Sequence, residues 1–256
     1  MTSSIDYLYE DEDLLVCHKM AGMATEGARA GRMDLVSAAR NYLARKDKMN
    51  TKGRQRNLPP YVATVNRLDQ PVEGVVVMGK NKKATSSLAE QIKRHTTDKY
   101  YYALCYGNVE PIKAHVENYH GRREDSGLAA IFSDDEKDTL NESTITSRDG
   151  EKIRLINGDV KIAALDYEVV STGKETTLLR IKLMTGRFHQ IRVQMAGLGY
   201  PIIGDTKYGN EESLQYSEEK GIKTVCLACY KFGFKHPAKG KRVFFEIKPE
   251  FIDHEN

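Results

Sequence analysis

Two short apolar runs open the chain, Tyr7-Leu8-Tyr9 and Leu14-Leu15-Val16-Cys17, with the acidic stretch Glu10-Asp11-Glu12-Asp13 between them. Strand-like runs separated by a short polar turn predict a β-hairpin. The period then changes: Leu35, Val36, Ala39, Tyr42 and Leu43 recur at three- and four-residue steps, the signature of one helix face. Lys46 to Pro60 is basic, polar and closed by Pro59-Pro60, which predicts a loop. Gly74 to Lys80 is a short apolar strand, and Asn81 suits the cap of a helix carrying Leu88, Ile92 and His95. Alternation returns from Lys99 to Gly107, whereas Gly121 to Asp159 is charged and weakly patterned and predicts a surface excursion with one hairpin. Strands resume at Leu165 to Val169 and at Thr177 to Met184, where Leu179, Ile181 and Leu183 share a face. A helix on Ile191, Met195 and Leu198 ends near Gly197 or Gly199, and Val225 to Lys235 and Arg242 to Lys248 form the last strands. Many strands joined mostly by hairpin-like turns, with few helices, predict a single α+β domain over residues 1–256. Its core is a largely antiparallel mixed β-sheet flanked by helices and loops.

Composition narrows the class more than the function. Of the 256 residues 40% are apolar and only 7 are proline, the make-up of a globular chain. The longest apolar runs, such as Val75-Val76-Val77-Met78, fall far short of the roughly 20 residues of a membrane span. The first residues carry neither a basic start nor an apolar stretch, so no signal peptide is expected. Four cysteines do not make a disulfide scaffold in a chain of this length, and a cytoplasmic protein is expected. The formal net charge of +3 conceals segregation. Arg45 to Arg56, Lys80 to Arg94 and Lys231 to Arg242 are basic blocks totalling +14, cancelled by acidic blocks at Asp6 to Asp13, Glu117 to Glu142 and Glu211 to Glu219. Basic blocks make a field on one face if the fold gathers them, and remain scattered solvated charge if it does not.

Three segments carry residues suited to chemistry. In Asn66-Arg67-Leu68-Asp69-Gln70-Pro71, the proline biases Gln70 away from helix, so Asp69 sits where the chain reverses. A turn aspartate often bonds only its own backbone. Arg67 could hold it ionised, although a spacing of two does not show a pair. In Met184 to Arg192, Gly186 breaks a strand and the polar run after it opens a helix. Such a junction offers backbone N–H groups to an anion, with Arg187, His189, Gln190 and Arg192 as side-chain donors; the plainer alternative is a capped, solvated helix start. In Lys99 to Gly107, Tyr100, Tyr102, Leu104 and Tyr106 share one bulky face, while Tyr101 shares the other with only Ala103, Cys105 and Gly107. That face either admits a flat ligand against the Tyr101 ring or packs it on another element. Cys226 and Cys229 have zinc-knuckle spacing, but without a second pair they read as buried structural cysteines, and no metal is expected. Pro201 to Gly209 reads locally as a tight turn and nothing more.

Taken in order, these segments resemble the RluA-type RNA pseudouridine synthase family. The similarity runs through Leu14-Leu15-Val16-Cys17-His18-Lys19-Met20-Ala21-Gly22, Asn66-Arg67-Leu68-Asp69, Gly74 to Lys80, and Lys99-x-Tyr101-x-Ala103-x-Cys105-x-Gly107. It continues through Thr185-Gly186-Arg187-Phe188-His189-Gln190-Ile191-Arg192, Gly204-Asp205-x-x-Tyr208-Gly209 and Phe234-Lys235-His236-Pro237, covering about Leu8 to Phe245. The resemblance implies a pseudouridine synthase fold and an isomerase that converts uridine to pseudouridine in ribosomal or transfer RNA. It implies Asp69 as catalytic carboxylate, Tyr101 as the ring that packs on the target base and Arg192 as the cation paired with the carboxylate. Arg67, Arg187, His189, Gln190, Lys231 and Lys235 are then the expected RNA contacts, on a basic face around Asp69 rimmed by Arg45 to Arg56 and Lys231 to Arg242. No cofactor, metal or membrane is expected, and the protein is expected to act as a monomer. The chain departs from the family at Asn66 (usually His), Val72-Glu73 (Thr-Ser), Met20 (Pro) and Phe188 (Thr), and no N-terminal S4-type domain, which many relatives carry, is expected. Two other readings are a non-catalytic RNA-binding protein on the same scaffold and a carboxylate glycoside hydrolase. The hydrolase needs a second carboxylate, for which only Glu73 is a candidate.

Overall fold

The computed structural model describes residues 5–50, 59–158 and 160–254. In chain order the elements are β1 (Asp6–Glu10), β2 (Leu14–Lys19), α1 (Leu35–Asn50), β3 (Ala63–Thr64), β4 (Glu73–Gly79), α2 (Lys82–Lys93), β5 (Asp98–Tyr106), β6 (Lys113–Arg122) and β7 (Ala129–Phe132). There follow α3 (Asp134–Asp138), β8 (Thr144–Thr146), β9 (Lys152–Arg154), β10 (Lys161–Thr172), β11 (Thr176–Leu183), α4 (Gln190–Gly197), α5 (Glu211–Glu219), β12 (Leu227–Lys235) and β13 (Arg242–Glu246). They fall into two compact units, Met1–Lys99 with Ala228–Glu250 and Tyr100–Leu227 with Phe251–Asn256.

The first unit is a mixed sheet in the order β1-β2-β4-β12, with β13 on β12 and β3 on the end of β4. Strands β4 and β12 run parallel, whereas β1–β2, β2–β4, β3–β4 and β12–β13 are antiparallel. Central placement explains why β4 reads as a continuous apolar run instead of alternating: Val75, Val76, Val77 and Met78 are wholly buried. The predicted opening hairpin is β1–β2, and Asn81 caps α2 by accepting the Ala84 N–H at 2.9 Å. Helix α1 continues through Asn50, so the loop expected from Lys46 begins later; the rest of that stretch up to Leu58 lies outside the described residues. Its last turns are rich in Lys, Arg and Met, good helix formers whose positive charge suits the C-terminal end of the dipole.

Among the described residues, several cations of the basic blocks are drawn away from the Asp69 turn. Lys46 and Lys80 both bond Glu10, at 2.7 and 2.8 Å, and Lys239 and His236 bond Asp11 at 3.1 and 2.9 Å. These contacts lie at the turn of the opening hairpin. Strand β2 pairs Leu14 with Gly79 at that end and Lys19 with Gly74 at the other, and β12 sets Cys229 beside Gly74. Lys235, six residues further along β12, is therefore about 20 Å from the Gly74 end that adjoins the Asp69 turn. The acidic hairpin turn draws Lys46 and Lys239 to itself, which takes these two residues out of the expected rim; the part of that rim from Thr51 to Arg56 lies outside the described residues. Burial would raise the Asp11 pKa, but hydrogen bonds from Tyr9, Lys239 and the Leu14 and Asp13 N–H groups outweigh it and hold the carboxyl well below its ordinary value. Its stabilising effect is present above about pH 4 and is lost as the pH falls through the lowered folded-state pKa. Asp11→Asn should cost about 1–3 kcal/mol at neutral pH, with the gap to wild type in urea unfolding narrowing below about pH 4.

The second unit carries the antiparallel order β5-β11-β10-β6-β7. The segment from Gly121 to Asp159, expected as a surface excursion, contains the predicted hairpin as β8–β9 but also has a core of its own. Phe132, Ile145, Ile153 and Leu155 are buried together there. Apart from the Ile153–Leu155 pair, their wide spacing gives no periodic signal. Helix α5, absent from the sequence-based expectation, grows from an acidic block whose Glu211 and Glu212 sit at the positive end of its dipole, with Asn210 accepting the Ser213 N–H.

Candidate active site

In the first unit, Asp69 is half-buried at a four-residue reversal in which the Val72 N–H donates to the Asp69 carbonyl at 3.0 Å. The residues leading into it are each tied down. Asn66 acts as a backbone surrogate on β4, donating to the Val75 carbonyl at 2.9 Å and accepting the Val77 N–H at 2.8 Å. Leu68 and Thr25 form a reciprocal clamp: the Leu68 N–H donates to the threonine oxygen at 3.2 Å, and that hydroxyl donates to the Leu68 carbonyl at 2.8 Å. Arg67 is exposed and ion-pairs with Glu26 at 2.9 Å, so it is oriented by a partner other than Asp69.

Lys19 explains what the Lys19-Met20-Ala21-Gly22 segment does. Its side chain is wholly buried, and Nζ donates to the carbonyls of Met23 at 2.7 Å and of Met20 and Gln70 at 3.2 Å. Gln70 and Gly22 exchange two further bonds, stitching the opening turn to the Asp69 turn. Burial pushes the Lys19 pKa down to about 8, against the opposing pull of the Asp69 and Glu73 charges. The ordinary lysine value is near 10.4, so between about pH 8 and 10 the unfolded chain holds a proton that the folded chain has lost, and this group makes stability rise with pH. The unfolding free energy of wild type relative to Lys19→Met should therefore climb over that window, by at most about 1.4 kcal/mol per pH unit in urea titrations. Glu73 is buried and held by His18 at 2.7 Å and by the Glu250 N–H at 3.1 Å, an arrangement that suits a structural carboxylate and not the second acid of a glycosidase. Gly74, at φ +144°, leaves room for β12, since a Cβ there would lie 2.6 Å from the Cys229 carbonyl oxygen.

In the second unit, Tyr101 lies on β5 opposite Ile181 of β11 and is 8% exposed. Its small same-face neighbours Ala103 and Cys105 are wholly buried, as the alternation predicts. Arg192, on the first turns of α4, is buried and grips Asp205 with Nε and Nη2, each 2.7 Å from a different carboxylate oxygen. The Lys207 and Tyr208 N–H groups also donate to Asp205, and the Arg192 guanidinium lies 5.2 Å from the centre of the Tyr208 ring. The stretch expected as a plain turn thus supplies a buried counter-ion. The Tyr208 hydroxyl bonds His189 Nδ1 at 2.8 Å and accepts the Ala129 N–H at 2.9 Å.

The sequence model of the family described as RNA pseudouridylate synthase matches residues 13–197. This chain belongs to that family. A protein of Aquifex aeolicus named uncharacterized RNA pseudouridine synthase is 31% identical over 249 residues, 95% of this chain and 69% of the relative. Ribosomal large subunit pseudouridine synthase C of Rickettsia conorii is 32% identical over 94% of this chain and 69% of its own, and the dual-specificity RNA pseudouridine synthase RluA of Vibrio parahaemolyticus is 28% identical over 88% and 77%. Among solved structures, human RNA pseudouridylate synthase domain containing 4 superposes with a TM-score of 0.71 at 22% identity over 98% of this chain and 91% of its own. The protein is thus an RluA-type pseudouridine synthase with the family fold, an isomerase acting on RNA.

Within this synthase the expected RNA contacts separate. Gln190 is buried, and its amide is spent internally on Thr185, the Arg187 N–H, the Ala164 carbonyl and Gln194. It braces the start of α4 from inside. Arg187 Nε donates to the Ile162 carbonyl at 2.8 Å, and Lys231 ion-pairs with Glu246. The four cysteines are buried thiols, and burial raises the pKa of Cys17 to about 12 and that of Cys105 further, suppressing thiolate chemistry. Among the described residues no group of three His, Cys, Asp or Glu side chains is placed to hold a metal, and no helix is long and apolar enough to cross a membrane.

Proposed function

We propose that this synthase isomerises uridine in ribosomal RNA of the large subunit, in the cytoplasm, with Asp69 as catalytic carboxylate, Tyr101 as the ring that packs on the uracil and Arg192 as the cation of the site. The observation that carries the assignment of Asp69 is its setting: an accessible carboxylate on a turn anchored on both sides, by Thr25 behind Leu68 and by Lys19 and Gly22 on Gln70. Such anchoring is what a reacting group needs to be held within a fraction of an ångström. The large-subunit substrate is supported by the name of the Rickettsia relative, which covers nearly the whole chain.

The reaction balances without an oxidant or donor. The bond from uracil N1 to ribose C1′ breaks, the ring turns, C5 bonds to C1′, and the hydrogen leaving C5 is matched by one gained at N1. An ionised carboxylate serves this sequence as nucleophile at C1′ or C6, or as base at C2′. A packed ring keeps the detached uracil in place, and the uridine leaves its stack at a cost of a few kcal/mol that protein contacts offset. The test is a pseudouridine map of total RNA from cells with and without the gene. Loss at defined large-subunit rRNA uridines is expected. Loss confined to transfer RNA would overturn the substrate assignment, and an unchanged map would favour the non-catalytic binder.

A further inference from the structure

We propose that Phe188 and Arg122 form a stacking platform for an unpaired nucleobase of the RNA substrate, a specificity element additional to Asp69, Tyr101 and Arg192. It rests on the reading of RNA as substrate. Phe188 is 40% exposed at the entrance to α4, although a phenyl ring of that size stabilises a fold mainly when it is buried. The ring is nonetheless held in order. The His189 ring stacks on it at 3.7 Å between centroids and 21° between planes, and the Arg122 guanidinium lies 4.5 Å from its centre. The Phe188 carbonyl accepts from His120 Nε2 at 2.8 Å, which fixes the backbone beneath the ring and requires the proton on that nitrogen. Burial lowers the His120 pKa, a direction the nearby Arg187 charge reinforces against the hydrogen bond, so this support is a neutral imidazole near pH 7. Arg122 is in turn anchored by Nε on the Gly127 carbonyl at 2.7 Å.

A pre-ordered stack in which an exposed guanidinium and phenyl ring lie against a buried imidazole fits a nucleobase better than an apolar peptide. Flat π and guanidinium surfaces are what single-stranded RNA bases stack on, and the Arg122 and Arg187 charges complement the phosphates that accompany a base. The stack leads to the chemistry without a gap. His189 bonds Tyr208, and the Tyr208 ring packs on the guanidinium of Arg192. A base seated on the Arg122–Phe188 platform is thereby registered against the proposed active-site cation through three side chains, Phe188, His189 and Tyr208.

The test measures binding of a fluorescein-labelled single-stranded oligoadenylate of about twelve nucleotides by anisotropy, which needs no turnover. Phe188→Leu keeps an apolar side chain of similar bulk but removes the flat face, and should weaken binding by about 5- to 150-fold; Phe188→Tyr should stay within about twofold of wild type. Arg122→Gln should also weaken binding, and thermal unfolding of each variant confirms its fold. Binding by Phe188→Leu within about twofold of wild type, equal losses in the Leu and Tyr variants, or no binding of the oligonucleotide by wild type would each overturn the platform. Photo-crosslinking of a 5-iodouridine RNA to Phe188, located by mass spectrometry, reads the contact directly. RNA binding through Phe188 in a protein that makes no pseudouridine would sink the proposed function and leave the platform standing. Pseudouridine formation with undiminished binding by Phe188→Leu would do the reverse.

Discussion

Asp69→Asn should reduce pseudouridine formation to below about one part in a thousand, some 4 kcal/mol of lost transition-state stabilisation. The substitution preserves size and planarity, and the turn itself depends on the Asp69 main-chain carbonyl and on the neighbours bonded to Thr25, Lys19 and Gly22, which the change does not touch. What is removed is an ionisable oxygen pair, so nucleophilic attack and base catalysis are lost together. Because C5 exchanges its hydrogen for a bond to C1′, tritium release from RNA labelled at uridine C5 measures turnover directly. RNA affinity, read by anisotropy, should change little, since one carboxylate does not carry the binding of a polyanion. Tritium release at more than a few per cent of the wild-type rate by the Asn variant would remove Asp69 from the mechanism.

The parts of the molecule legible in the sequence are those governed by local rules. The opening hairpin, β4, the Asn81-capped helix and the alternation of β5 follow from periodicity and capping, which neighbours along the chain decide. What was illegible depends on partners distant in sequence. The small core of Phe132, Ile145, Ile153 and Leu155 is assembled from β7, β8 and the β9 segment, and no single window along the chain displays it. The charge blocks show the same limit: Lys46 and Lys239 belong to the segments expected as an RNA-facing rim, but the fold brings them, with Lys80 of the third basic block, to Glu10 and Asp11. At the site, the Asp69 turn was readable from Pro71, whereas Gln190 looked like a surface donor because nothing local reveals that its amide closes on residues 164, 185 and 194. The signal that could have singled out Asp205 was a pair of facts: an arginine on the apolar side of a helix must find a buried counter-charge, and the Gly204-Asp205 segment belongs to the ordered motifs.

Asp205→Ala is the second large effect, expected on stability as well as activity. Arg192 is 3% exposed and Asp205 is 1% exposed, so neither charge has water to fall back on. Intact, the bidentate pair contributes little net stability, because desolvation offsets most of its attraction; broken, it leaves a guanidinium buried with Nε and Nη2 deprived of their acceptors. The cost of stranding one partner is about 3–5 kcal/mol, a large share of a typical folding free energy, and urea unfolding should show it as a fall in midpoint at unchanged slope. Asp205→Asn, which retains an acceptor oxygen and the bonds from the Lys207 and Tyr208 N–H groups, should lose less. Both variants should lose pseudouridine formation at temperatures where they remain folded, because an arginine released from a two-point grip no longer presents a fixed guanidinium. A fully stable and active Asp205→Ala protein would mean that Arg192 is oriented by groups other than Asp205. A variant as active per folded molecule as wild type but less stable would separate the two roles, leaving Asp205 in the architecture and taking it out of the positioning of Arg192.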